Sequence, residues 1–255
     1  MSYAACSVPA APVFKTASYE AEMVNQLLFG ETMEILSVMP DWYAIASIAD
    51  GYEGWVSRSQ LTEITPELAL APVKLLAADW LNPLRTGNSD MLIPMGSNLL
   101  GLEGHAGHFG DFHYQYWKEL RDITAMPPDP DELRRLAFLW LHAPYRWGGR
   151  TILGVDCSGF TQMVFKMLGI LLPRDAWQQA GQGETVDFLA EARCGDLAFF
   201  DNAEKKIIHV GILLNDHEII HASGQVRVDP IDNAGIIHSA SGKRTHQLRI
   251  IRRYF

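Results

Sequence analysis

Gly154-Val155-Asp156-Cys157-Ser158-Gly159-Phe160 places a cysteine at the start of an apolar run. The run reads as a helix from Cys157 to Leu168, with Gly169 as its stop. Phe160, Val164, Met167 and Leu168 fall on its buried face. The first N–H groups of a helix are unpaired and carry partial positive charge. They lower the pKa of a thiol beside them, and the thiolate is the nucleophilic form. A lone cysteine before such a helix is more often a plain core residue. The histidines downstream shift that balance.

His209 and His221 lie in the apolar runs HVGILL and EIIHAS, on either side of Asn215-Asp216-His217. A hairpin centred on Asn215 sets them directly opposite each other on one face. One imidazole can then orient the other, which is the general form of an activated nucleophile. Each histidine alone reads as a satisfied core residue. The joint pattern of a helix-start cysteine and two paired strand histidines, Cys157 with His209 and His221, points to an activated thiol nucleophile.

Outward from this site, Met126-Pro127-Pro128-Asp129-Pro130 is a linker, because adjacent prolines suit neither helix nor ladder. Asp129 or Asp131 then caps a helix over residues 131–141. The late apolar runs DLAFF, IIHVGILL, EIIHAS and QLRIIRRYF read as strands. Helices first and an antiparallel sheet afterwards make residues 127–255 an α+β domain. Residues 1–65 alternate short apolar runs with turn signals such as Asp50-Gly51, the pattern of a small β-barrel. Residues 66–126 form a second, looser β unit, in which LIPMGSNLLGLEG echoes QLLFGETMEIL.

The phrases PYRWGG (144–149), GVDCSGF (154–160), LPRDAWQQ (172–179), CGDLAFF (194–200), HVGILL (209–214) and IIHAS (219–223) resemble, in order and spacing, the NlpC/P60 papain-like cysteine peptidases. Residues 1–65 resemble a bacterial SH3-like domain, with Gly30, Trp42, Gly54 and Trp55 in the family positions, and 66–126 resemble a degenerate second copy. The implied fold is a papain-like α+β catalytic domain preceded by one or two small SH3-like β-barrels. The resemblance implies a thiolate nucleophile at Cys157, a base at His209, a third, orienting residue at His221, and Tyr145 near the oxyanion site beside the Cys157 N–H. Within the family, the SH3-like N-terminus resembles the branch of γ-D-glutamyl-L-diamino acid endopeptidases. That implies a cell-wall peptide, L-Ala-γ-D-Glu-diamino acid, as partner. It implies Asp175 as counter-ion to the free L-Ala amine, and Asp156, Ser158 and Trp147 as the lining of the γ-D-Glu pocket. It gives Tyr52, with Glu22 as a weaker choice, as an SH3-like wall of the cleft. Ala176 departs from members that carry a serine there. An inactive peptidoglycan-binding module, or another thiol amidase or acyltransferase on the same fold, is the alternative; the complete set Cys157, His209 and His221 weighs against the first.

The remaining features narrow the class. The 255 residues carry a formal net charge of -9, which favours neither nucleic acid nor anionic membrane as partner. Cys6, Cys157 and Cys194 are too few, and odd in number, for a disulfide framework, which fits a reducing compartment. MSYAACSVPAAPVF has no basic start and no sustained apolar core, and the expectation is a cytoplasmic protein. Cys194 reads as structural, with Asp196 bracing its turn. His105, His108 and His113 in HAGHFGDFH have a metal-like spacing but no supporting cysteine, and read as a solvated loop. Neither metal nor organic cofactor is expected.

Overall fold

The computed structural model describes residues 1–125 and 127–255. Met126, the first residue of the expected linker, lies outside the described residues. The chain divides into two compact units, Met1–Met126 with Trp147–Ile152, and Pro127–Arg146 with Leu153–Phe255. Among the described residues, no helix is long and apolar enough to cross a membrane.

The first unit begins with a seven-stranded antiparallel sheet drawn from Ser2–Cys6 through Leu61–Ile64. Period-two alternation buries Ala4, Cys6, Ala11, Val13, Leu27, Met33, Ile45 and Val56 in one cluster. A five-stranded sheet follows, from Leu81–Thr86 to Phe112–Tyr116. Phe29, in the turn after the strand Met23–Leu28 of the first sheet, packs its ring against Phe109, Phe112 and Tyr114 of the second, with centroids 5.5, 5.7 and 5.3 Å away. Residues 1–65 and 66–126, read apart in the sequence, therefore share a core. HAGHFGDFH is a hairpin, not a loop. Ala106–Phe109 and Phe112–Tyr116 pair around Gly110-Asp111, and Gly110 takes the positive φ (53°) that such a two-residue turn needs. His108 and His113 face each other across it and stack at 5.7 Å.

Trp147–Ile152 folds with this first unit, although the sequence reading placed it in 127–255. Arg150 explains why. Its guanidinium grips Glu31 at 2.7 and 3.0 Å, with both side chains almost fully buried, and its N–H donates to Gln26 Oε1 at 2.8 Å.

The second unit holds the helices Pro130–Phe138, Cys157–Lys166 and Ala176–Gln179. The first two end two or three residues earlier than the spacing suggests. Asp129 is the cap of the first, accepting from the Glu132 N–H at 2.9 Å. The sheet runs Glu184–Val186, Arg244–Arg253, Leu197–Asp201, Ile207–Leu213, Glu218–Ser223, Gln225–Asp232 and Gly235–Ile237. Gly235–Ile237 pairs back onto Arg244–Arg253, so six of these strands close into a barrel. One face carries the cluster of Phe200, Leu213, Ile219, Ile231, Ile236 and Ile251. His209 is four residues from Leu213, His221 two from Ile219, and Asp229 two from Ile231. Alternation puts all three on the face of that cluster.

Candidate active site

Cys157 opens its helix, and Asp156 is the cap, accepting from the Gly159 N–H at 2.7 Å. The helix packs against the strand Ile207–Leu213 that carries His209. The expectation of a lowered thiol pKa is corrected here. Burial pushes the Cys157 thiol up to about 12, and the Asp156 carboxylate adds to the rise; the Val210 N–H beside His209 and the Ser158 N–H oppose it. The helix end is present, but desolvation and an adjacent anion outweigh it.

The hairpin differs from its expected register by two residues. His221 stands opposite Gly211, not His209, which centres the turn on Asp216. The two histidines therefore meet on the diagonal, still on one face. His209 Nε2 and His221 Nδ1 are 2.8 Å apart, and both rings are buried. Gly211 makes this possible, since a Cβ there would sit 2.8 Å from the His221 Cβ.

Asp229, from the next strand, completes the chain. Its Oδ2 lies 3.0 Å from His221 Nε2, and both side chains are 1% exposed. Its Oδ1 accepts from the Ser239 N–H at 2.9 Å and from Arg227 Nη2 at 2.8 Å. Burial alone would raise the Asp229 pKa, but these hydrogen bonds from His221, Ser239 and Arg227 hold it well below the usual range. An ionised carboxylate only accepts, so His221 carries its proton on Nε2 and presents a lone pair at Nδ1. His209 must then donate from Nε2, which leaves its Nδ1 unprotonated and able to take a proton. Burial, then the neighbouring His221 and His246, push His209 well below the ordinary imidazole value. Burial likewise lowers His221, against the pull of Asp229. The resting pair is a thiol and a neutral base.

Residues 142–245 match the NlpC/P60 family, and residues 13–61 match the bacterial dipeptidyl-peptidase SH3 domain. The chain carries an NlpC/P60 domain after a bacterial SH3 domain. It is 27% identical over 254 residues to a gamma-D-glutamyl-L-lysine dipeptidyl-peptidase of Bacillus cereus, covering 88% of this chain and 75% of that one. The protein of the same name from Bacillus subtilis is 27% identical over 212 residues, covering 78% and 71%. The crystal structure of an NlpC/P60 family protein from Bacillus cereus superposes with a TM-score of 0.78 over 99% of both chains, at 22% identity, which is a likeness of fold.

Within the NlpC/P60 domain, Tyr145 belongs to the same locality as Cys157. Its N–H donates to the Gly224 carbonyl at 2.9 Å, and burial followed by the charges of Cys157 and Asp156 raises its pKa. Asp156 and Ser158, expected in the substrate pocket, are both buried and held by Arg174. Its guanidinium spans Asp156 at 2.5 and 3.0 Å and reaches Ser158 Oγ at 2.9 Å. The sequence reading missed Arg174, although it stands in the quoted LPRDAWQQ; a basic residue next to the carboxylate of Asp175 was the available signal. Asp175 shares a capping box with Gln178, whose Oε1 accepts from the Asp175 N–H at 3.1 Å. Trp177 Nε1 donates to Asp175 Oδ2 at 3.3 Å. Asp196 accepts from the Arg193 N–H at 2.8 Å, bracing the turn that holds Cys194.

Trp147 and Tyr52 belong to the first unit. Trp147 Nε1 donates to Glu22 Oε1 at 2.9 Å. Tyr52 is half-buried, with its N–H on Asp50 Oδ1 at 3.1 Å.

His209, His221 and His246 each offer a nitrogen within 4.8 Å of the others. A metal needs in-plane lone pairs that converge at about 2.0–2.1 Å. The His209 and His246 rings are stacked 4.1 Å apart and only 22° from parallel, so their lone pairs do not converge. The facing nitrogens of His209 and His221 are already closed by their hydrogen bond. This donor set suits proton relay.

Proposed function

We propose that the protein is a thiol peptidase that hydrolyses the γ-D-glutamyl-L-diamino acid bond of cell-wall peptides with a free N-terminal L-Ala. The observation that carries this reading is the buried chain from His209 through His221 to Asp229, together with a helix-start cysteine hydrogen-bonded to the backbone of Val210, the residue after His209. The bond class is supported by the two Bacillus relatives named as gamma-D-glutamyl-L-lysine dipeptidyl-peptidases.

In this mechanism His209 Nδ1 takes the Cys157 proton as sulfur attacks the glutamyl carbonyl. The positive charge that develops on His209 is shared through His221 toward Asp229. Tyr145 and the Cys157 N–H stabilise the oxyanion. The C–N bond breaks, His209 returns its proton to the leaving amine, and a thioester remains. Water then attacks the thioester, His209 takes one of its protons, and that proton returns to sulfur as the acid leaves.

Asp175 is the partner of the substrate ammonium, and its carboxylate, which accepts from Trp177 Nε1, suits an ammonium through charge-assisted hydrogen bonds. An amine acylated by a glycan carries no charge, so the substrate is a soluble fragment and not polymeric wall. Incubation with L-Ala-γ-D-Glu-diaminopimelate and with its N-acetylated form, followed by mass spectrometry, tests the whole reading. Release of L-Ala-D-Glu from the free peptide is expected. No cleavage by wild type, or undiminished cleavage by Cys157→Ala, would overturn it.

A further inference from the structure

The strand Arg244–Arg253 carries a residue that the mechanism above does not use. His246 lies face to face with His209, centroids 4.1 Å apart and planes 22° apart. His221 meets His209 at 83°, edge to face, and Phe200 packs at 5.7 Å. The His209 ring is thus enclosed on several sides, and His246 supplies the parallel wall.

Two bulges aim His246 there. Between the pairs Phe199–Ile250 and Phe200–Leu248 the strand gains one residue, Arg249; between Ile236–His246 and Ile237–Arg244 it gains another, Thr245. Bulges re-aim side chains and gather near active sites. Thr245 Oγ1 is 2.9 Å from His246 Nδ1, which fixes the ring's rotation. Gly235 permits the close strand approach at this point, because a Cβ there would fall 1.8 Å from the His246 carbonyl oxygen. Neither feature is needed to close a barrel in general; together they deliver one ring to one place.

We propose that His246 is a positioning residue for the base: its neutral ring holds the His209 imidazole in the plane of the relay and offers a π face to the cation formed when His209 takes the thiol proton. This rests on the reading of His209 as base. A cation over a neutral aromatic face is favoured, whereas two stacked imidazolium rings repel. The ionisable groups facing His246 are His209, His221 and Asp229, from three strands; Phe200 and Ile236 complete its surroundings. Burial, then His221, lowers the His246 pKa to about 4 against the pull of Asp229, so the ring is neutral at neutral pH.

Three variants test this on the full chain: His246→Phe keeps an aromatic face, while His246→Leu and His246→Gln remove it. We expect Leu and Gln to lose about ten-fold in kcat with KM within about two-fold of wild type. Phe should restore kcat to within about three-fold. On the acid side, wild-type kcat/KM should fall with a slope approaching two protons, and the Phe variant with a slope of one. Thermal unfolding of each variant separates a folding loss from a chemical one, and the Phe profile stands alone if the other two unfold. Wild-type kcat in a folded Leu or Gln variant, equal damage in Phe and Leu, or an unchanged acid slope in Phe would each overturn the proposal. His209→Ala in parallel separates this from the parent reading: if it too retains activity, the base assignment fails first.

Discussion

Asp229 accepts from His221 Nε2 at 3.0 Å, and through that one contact it dictates where the proton sits on a ring it never touches, that of His209. Reversing the contact should reverse the whole chain. In Asp229→Asn the oxygen stays at the Oδ1 position, because the Ser239 N–H and Arg227 both donate there. The new NH2 then faces His221 Nε2, so His221 must protonate Nδ1 and His209 must protonate its own Nδ1. The base loses its lone pair. We expect kcat to fall by about 10²–10⁴-fold with the protein still folded, the scale seen when a triad carboxylate becomes an amide. Kinetics with circular dichroism check this, and wild-type kcat would show that the tautomer is set elsewhere.

Gly211→Ala should damage the site without adding or removing a polar group. Its Cβ would meet the His221 Cβ at 2.8 Å and the Ile219 side chain at 2.8–2.9 Å. Overpacking of this kind costs about 1–3 kcal/mol. We expect a lower thermal midpoint together with a loss of kcat, since His221 is the group displaced. A midpoint shift with unaltered kcat would mean that Ile219 alone yields.

Arg174→Met tests a charge rather than a shape. It leaves the buried Asp156 carboxylate without its guanidinium, and breaking a buried pair from one side costs about 3–5 kcal/mol. Urea unfolding should show a loss of that size. The paired change Asp156→Asn with Arg174→Met should recover part of it.

The pH dependence follows from burial. His209 and His221 are lowered, and the Cys157 thiol is raised to about 12. The acid limb of kcat/KM should therefore lie below the ordinary imidazole value of about 6.5, with a plateau above it and no thiol limb below about pH 9. Stability has the same sign. The folded chain refuses protons that the unfolded histidines accept, so stability is full above about pH 6.5 and declines as pH falls. With His246 lowered to about 4, that decline continues to about pH 4. Urea midpoints measured from pH 8 to 4 would reveal it; a midpoint that rises on acidification contradicts the sign.

Asp175→Asn separates substrate recognition from helix capping, because asparagine caps as well as aspartate. The free-amine peptide should lose its preference over the N-acetylated one, about 100-fold or more in wild type, equivalent to ~2.7 kcal/mol. The thermal midpoint should move little. Retained discrimination would assign the amine to other groups.

The helix that opens on Cys157, the two strand histidines and the α+β order were all legible, because each rests on local periodicity and a short motif. The hairpin register was missed by two residues: an even shift keeps the histidines on one face, and the steric demand of His221 on Gly211 chooses between the two pairings. Asp229, Arg227 and His246 left no local trace, since they reach the relay through strand pairings and bulges far along the chain. Arg174 was visible as a residue but not as a partner. The helix-start argument for the thiol failed because a sequence shows the cap and not the desolvation. The barrel's closure was also hidden, as no short-range pattern announces which distant strand comes back.

That closure has a temporal side. Gly235–Ile237 and Arg244–Arg253 are the last strands of the unit in chain order, and the latter brings the wall behind His209. During synthesis the helix Cys157–Lys166 leaves the ribosome long before them. A nascent chain would hold Cys157 for nearly a hundred residues while the ring of His209 still lacks its parallel wall. Competence would arrive as one late event, when the returning strand docks.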